Sequence, residues 1–156
     1  MHRCLTLHPL LDLPKRTSKP RTTGITSVQD TRLSTGELES ILNDYADFID
    51  IAKIGIGVAY ILPNLKEKIK LYHAAGVQVY FGGTLFEKFY HQNKLDEFLK
   101  FLDSNGINML EVSTGTVDIN IEERCGLVDR LSKNYTVLSE VGSKDADAIM
   151  PPSQWI

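Results

Sequence analysis

Val77-Gln78-Val79-Tyr80-Phe81-Gly82-Gly83-Thr84 is the stretch on which the fold turns. Its first five residues are rich in β-branched and aromatic side chains and read as a strand; the glycines end it. Just upstream, Gly76 stands where a glycine stops a helix. That helix opens at Pro63 and Asn64 and carries Leu65, Ile69 and Tyr72 on one face. The unit is therefore helix, glycine, strand, glycine turn.

Moving outward, the same rhythm recurs. Strands are expected at Ile25–Val28, Phe48–Ile54, Asn108–Val112 and Thr136–Val141, with starts spaced like those of βα units. Ser34 and Glu37 form a capping-box pair ahead of Leu38, Ile41, Leu42 and Tyr45. Asn93 is placed to cap a helix bearing Leu95, Phe98, Leu99 and Leu102, which Gly106 stops. A further helix sets Ile121, Cys125, Val128 and Leu131 on one side, with Cys125 read as a core residue rather than a nucleophile. Strands alternating with helices predict a mainly parallel sheet. A dinucleotide fold wants G-x-G-x-x-G after the first strand, and Asp30-Thr31-Arg32 stands there instead. A closed TIM-type (β/α) barrel is favoured over an open doubly wound sheet.

Such a barrel needs eight units and about 250 residues, and this chain has 156. We expect it to supply about five of the eight units. Residues 1–18 read as an N-terminal tail and 19–156 as the N-terminal portion of a single barrel domain, with Pro151 and Pro152 opening a fifth helix. The basic residues gathered at the start, Arg3, Lys15, Arg16 and Lys19, read as solvated charges.

A net charge of −3 does not suggest a nucleic-acid or membrane-surface protein. No apolar run is long enough to span a bilayer. Two cysteines without metal-ligand spacing point to a reduced, cytoplasmic setting.

Barrel chemistry lies at the C-terminal ends of the strands. Standing there are Asp30, Lys53, Gly82-Gly83-Thr84, Glu111 with Ser113, and Glu140 with Lys144. Burying carboxylates is costly unless they are paired or bind a cation, so the clustering predicts a polar site for an anion and a metal ion. Each member has a plainer reading. Lys53 pairs with Glu111 or Glu140 as a structural ion pair, and the two glycines form either a phosphate cradle or a tight turn. Glu87, His73 and His91 read as surface or helix residues, and Tyr80 as packing.

Four motifs then resemble the phosphosulfolactate synthase family. They are Lys19-Pro20-Arg21-Thr22-Thr23-Gly24-Ile25-Thr26 with Asp30 following, Tyr80 to Glu87, Leu110 to Thr116, and Leu138 to Asp145. Thr114 and Ser143 depart from the family's pattern, where an aspartate and a lysine are common. The resemblance implies a β/α barrel catalysing Mg²⁺-dependent addition of sulfite to phosphoenolpyruvate, early in coenzyme M biosynthesis. It implies catalytic roles for Lys144, Glu140 and Lys53, with Lys144 as general acid or as the group holding the developing anion. Arg21, Gly82, Gly83, Thr84 and Ser113 would bind substrate; Glu111, Glu140 and Asp30 would hold Mg²⁺ through hard oxygen ligands. The full-length form is expected to be a homo-oligomer. Two other readings stay open: an aldolase-like barrel with a Schiff-base lysine, Lys53 or Lys144, and a non-catalytic, stress-related family member acting as an interaction protein.

Overall fold

In the computed structural model the described residues are 12 and 16–140. Five strands, β1 (Ser27–Asp30), β2 (Ile51–Ile54), β3 (Gln78–Phe81), β4 (Met109–Val112) and β5 (Thr136–Ser139), form one sheet. Their order is β1-β2-β3-β4-β5 and every neighbouring pair is parallel. A doubly wound sheet reverses its strand order and places helices on both faces. Here the order never reverses, so crossovers of one hand lay the helices on a single face. That is the wall of a barrel.

The helices follow local rules. Ser34 caps α1 (Thr35–Tyr45) in a complete capping box with Glu37. The helix α3 (Leu65–Ala74) ends at Gly76, whose φ is +67°, with Val77 N–H donating to Tyr72 O. The helix α5 (Leu95–Ser104) ends the same way at Gly106, with Ile107 N–H donating to Leu102 O.

Several expectations need correction. The first strand lies two residues later than Ile25–Val28. The second is shorter than Phe48–Ile54, because Ala46–Phe48 close a 3₁₀ turn through Ile49 N–H to Ala46 O. A short helix, α2 (Val58–Ile61), follows β2. Asn93 does not cap α5. It sits at φ +55° and ends α4 (Gly83–His91), with Lys94 N–H donating to Phe89 O, so it takes the role glycine has in the other two stops. In α6 (Ile121–Leu131) the buried face is Arg124, Leu127 and Leu131; Ile121 and Cys125 are exposed. The expected strand end at Val141 and the fifth-helix opening at Pro151 lie outside the described residues.

The core sits between sheet and helices. Ala52, Ile54, Val79, Phe81, Leu110 and Val112 pack against Leu38, Leu42, Ile69, Tyr72, Phe86, Phe98 and Leu102. Each fully buried large apolar side chain contributes about 1.5–3 kcal/mol.

Arg16 and Lys19 are anchors rather than solvated charges. Arg16 donates to Thr26 Oγ1 and Phe48 O, and Lys19 to Ala46 O and Ala75 O. Arg16, within the stretch read as tail, therefore touches Thr26 and Phe48. Among the described residues no helix is long and apolar enough to cross a membrane.

Candidate functional site

Successive side chains of a strand alternate between the helix layer and the other face, which becomes the barrel interior. Parallel register pairs Lys53 with Tyr80, and Phe81 with Leu110. Lys53, Tyr80 and Glu111 therefore share the inner face, with Gly82 between Lys53 and Glu111. Across that gap the Lys53 ammonium reaches the Glu111 carboxylate, at 2.9 Å to Oε1 and 2.7 Å to Oε2. A Cβ on Gly82 would lie 2.8 Å from Lys53 Cε.

Gly83 begins α4, and its backbone N–H donates to Glu111. A Cβ on Gly83 would overlap the Ser113 side chain and come within 3.0 Å of Glu111 Oε2. Neither glycine has a positive φ, so what they supply is room. The Gly83 N–H expected to meet a phosphate is thus already taken by a carboxylate.

Electrostatics follow from this contact. Burial pushes the Lys53 ammonium towards losing its proton. The hydrogen bond and charge of Glu111, helped by Tyr80 and Glu140, overcome burial and hold its pKa above the ordinary lysine value. Burial and the Glu111 charge push Tyr80 up, so its phenol stays protonated at neutral pH. Glu140 continues the β4–β5 ladder, its N–H donating to Val112 O at 3.0 Å.

Beside this pair, Ser113 is fully buried and its hydroxyl donates to Glu87. Glu87, read as a surface or helix residue, lies on α4 and is buried. It also accepts from Gly115 N–H (2.9 Å), Val117 N–H (3.0 Å), and both the N–H and hydroxyl of Thr116. Burial would raise its pKa, but these donors win and hold it below the usual glutamate value. Thr84 lines a groove of about 470 Å³ between α4 and the loop after β4, together with Lys88, His91, Thr116, Val117 and Asp118.

Two expected site residues lie elsewhere. Asp30 is 1% exposed and faces the helix layer, because it is in register with Ile54. Lys68 pairs with it at 2.6 Å, and Tyr72 Oη and Leu33 N–H donate to it. Its oxygens are committed on the opposite side of the sheet from Glu111. Arg21 lies at the N-terminal end of the strands, donating to Asp50 at 2.8 Å and to Asp47 O. Asp50 also accepts from Thr26 N–H, so Arg21 braces the far end of the wall. Lys144 lies outside the described residues, with its neighbours Gly142, Ser143 and Asp145.

Among the described residues no group of three or more His, Cys, Asp or Glu side chains is arranged to hold a metal ion. Of the three carboxylates expected for Mg²⁺, Glu111 and Glu140 lie on one face, with both Glu111 oxygens on the Lys53 ammonium and one also on Gly83 N–H. Two carboxylates suit a cation that keeps several waters and takes substrate oxygens.

Sequence reasoning missed the place of Glu87, while Tyr80, read as packing, is buried. A signal for Glu87 existed: it stands one helical turn after Gly83, and Ser113-Thr114-Gly115-Thr116 is a run of small donor-rich residues that an anion can organise.

The family model for (2R)-phospho-3-sulfolactate synthase matches residues 14–156. The chain belongs to that family. Phosphosulfolactate synthase of Bacillus subtilis (strain 168) is 36% identical over 137 residues, which is 88% of this chain and 54% of the relative. That of Methanothermobacter thermautotrophicus is 37% identical over 140 residues, 86% of this chain and 53% of the relative. That of Methanocaldococcus jannaschii is 40% identical over 127 residues, covering 80% and 51%. The chain spans about half the length of these curated relatives. The family is a TIM-barrel family, and five parallel strands in sequential order are part of such a barrel.

Proposed function

We propose that the full-length protein is a carbon–sulfur lyase that adds sulfite to phosphoenolpyruvate, giving phosphosulfolactate. The observation that supports it is the Lys53–Glu111 pair seated on Gly82-Gly83 at the strand ends, within the region of the family match. The sulfur lone pair of sulfite attacks the methylene carbon and forms the C–S bond. The electron pair of the double bond moves to the carbon bearing phosphate and spreads into the carboxylate. A proton delivered to that carbon completes the product, which keeps its phosphate and carboxylate and gains a sulfonate.

Lys53 is kept protonated, so it offers a fixed positive charge to the substrate carboxylate or to sulfite. Ser113 and the first turn of α4 shape the wall beside it. Glu111 and Glu140 would hold Mg²⁺, which when bound adds positive charge where the carboxylate becomes electron-rich. Lys144 is the proposed proton donor. A Schiff-base reaction at Lys53 fits less well, because an amine nucleophile needs its proton removed and Glu111 holds that proton in place.

The test uses full-length protein with phosphoenolpyruvate and sulfite, with Mg²⁺ or with a chelator, and product followed by mass spectrometry. Phosphosulfolactate formed only with Mg²⁺ is the expected result; no product from folded protein in either condition rejects the assignment. Lys144→Ala is expected to cut turnover by roughly 10²-fold or more, the scale of a lost proton donor. Lys88→Ala, on the exposed side of α4, leaves turnover near wild type. Equal small losses in both would deny Lys144 its role.

A further inference from the structure

Glu87 and Glu111 form a reciprocal clasp between α4 and β4. Glu111, on β4, takes the first N–H of α4, from Gly83. Glu87, one turn further along α4, takes donors from the chain leaving β4: the Ser113 and Thr116 hydroxyls and the N–H groups of Gly115, Thr116 and Val117. Glu87 is wholly buried, and among the described residues the group assigned to the chemistry that it hydrogen-bonds is Ser113. A buried carboxylate is tolerated only when its lone pairs are filled, and here five donors fill them. What they fix is a loop that leaves a strand at the end where the barrel site lies.

We propose that Glu87 is a positioning residue for the reaction, holding residues 113–117 so that Ser113 stays beside Glu111 and the inner face keeps its shape. This rests on the function proposed above. The identity of the group matters. One oxygen of Glu87 meets Gly115 N–H, and the other meets Thr116 and Val117 N–H. A glutamine in either orientation turns its NH₂ against at least one backbone N–H, so Glu87→Gln keeps the volume and breaks the clasp. Because Glu87 carries no binding charge to substrate, its loss misplaces the reacting groups and leaves most of the binding intact.

The experiment compares Glu87→Gln, Glu87→Asp and Thr116→Val with wild type in the full-length protein. It reads hydrogen exchange at the amides of residues 115–117, together with kcat and KM for phosphoenolpyruvate. Expected for Glu87→Gln is about tenfold or faster exchange at those amides, and a kcat lowered about tenfold or more, with KM within about threefold, the pattern of misaligned groups. Glu87→Asp recovers part of kcat, and Thr116→Val, which removes one donor, moves both readouts less in the same direction. Unchanged exchange in folded Glu87→Gln overturns the clasp. Faster exchange with unchanged kcat reduces Glu87 to a structural group and overturns the positioning role. If Glu87→Gln does not fold, Thr116→Val decides by the same two readouts. Wild-type protein without activity rejects the function proposed above, and an inactive enzyme leaves nothing for Glu87 to position; the exchange data still accept or reject the clasp itself.

Discussion

At Lys53, burial and the Glu111 carboxylate pull the proton equilibrium in opposite directions, and the carboxylate wins. A lysine pKa raised by folding contributes stability that is complete below the unfolded value. That contribution disappears as pH rises through the folded value. Glu111→Gln removes the opposing charge and leaves the burial. The Lys53 pKa is then expected to drop below the ordinary lysine value, and the alkaline limb of the proposed activity in the full-length protein to move to lower pH. NMR titration of the labelled ε-carbon checks this, and an unmoved midpoint would show that Glu111 is not the cause. Gly83→Ala tests the close approach of α4 to β4. Its methyl group meets the short, buried Ser113 side chain, whereas that of Gly82→Ala meets the flexible end of Lys53. Gly83→Ala is expected to be the more destabilising by about 1 kcal/mol or more in urea unfolding, the scale of overpacking. The end of the sheet where Lys53, Glu111, Gly82 and Gly83 meet was legible from strand-end position alone. Which face Asp30 takes was not. Facing depends on register with the next strand, and a shift of one residue reverses every side chain. Nothing local to Asp30 states that it aligns with Ile54.

Among the elements, the features set by neighbours in sequence were legible. The Ser34–Glu37 box and the glycine stops at Gly76 and Gly106 involve residues within one or two turns. Asn93 carried an ambiguous signal, because asparagine serves both as a helix cap and in the left-handed stop. In α6 the buried stripe runs through Arg124, which interrupts the apolar pattern. Its guanidinium reaches Glu140 O at 3.5 Å while its stem packs beneath, so counting apolar residues turned the helix towards Cys125. The join of β1 to α3 has an energetic consequence. Lys68 and Asp30 are each 1% exposed, and Lys68 also donates to Leu33 O. Lys68→Met leaves a buried carboxylate short of its cation and is expected to cost about 3–5 kcal/mol. Adding Asp30→Asn to Lys68→Met should restore part of that loss. Urea unfolding of the two single variants and the double variant measures the coupling, and strict additivity would mean that the pair does not interact.

For the whole molecule, the sheet has two edges among the described residues, because β1 and β5 each pair with one neighbour. A barrel closes such edges. Expressed by itself, the polypeptide 1–156 is expected to self-associate or to remain incompletely folded, with turnover far below that of the full-length protein. Light scattering behind size exclusion and a sulfite-dependent assay test this, and a stable monomer with full turnover would refute it. The sequential strand order also bears on how the chain is made. Ser27 pairs with Ile51, Ile51 with Gln78, Phe81 with Leu110 and Met109 with Thr136. Each new strand finds its partner among the residues synthesised just before it, after a wait of 24 to 29 residues, which keeps loop-closure entropy low at every addition. A polypeptide leaving the ribosome can therefore lay down this wall one stave at a time, and each glycine stop ahead of a strand, at Gly76 or Gly106, marks a point where one stave is finished and the chain is free to begin the next.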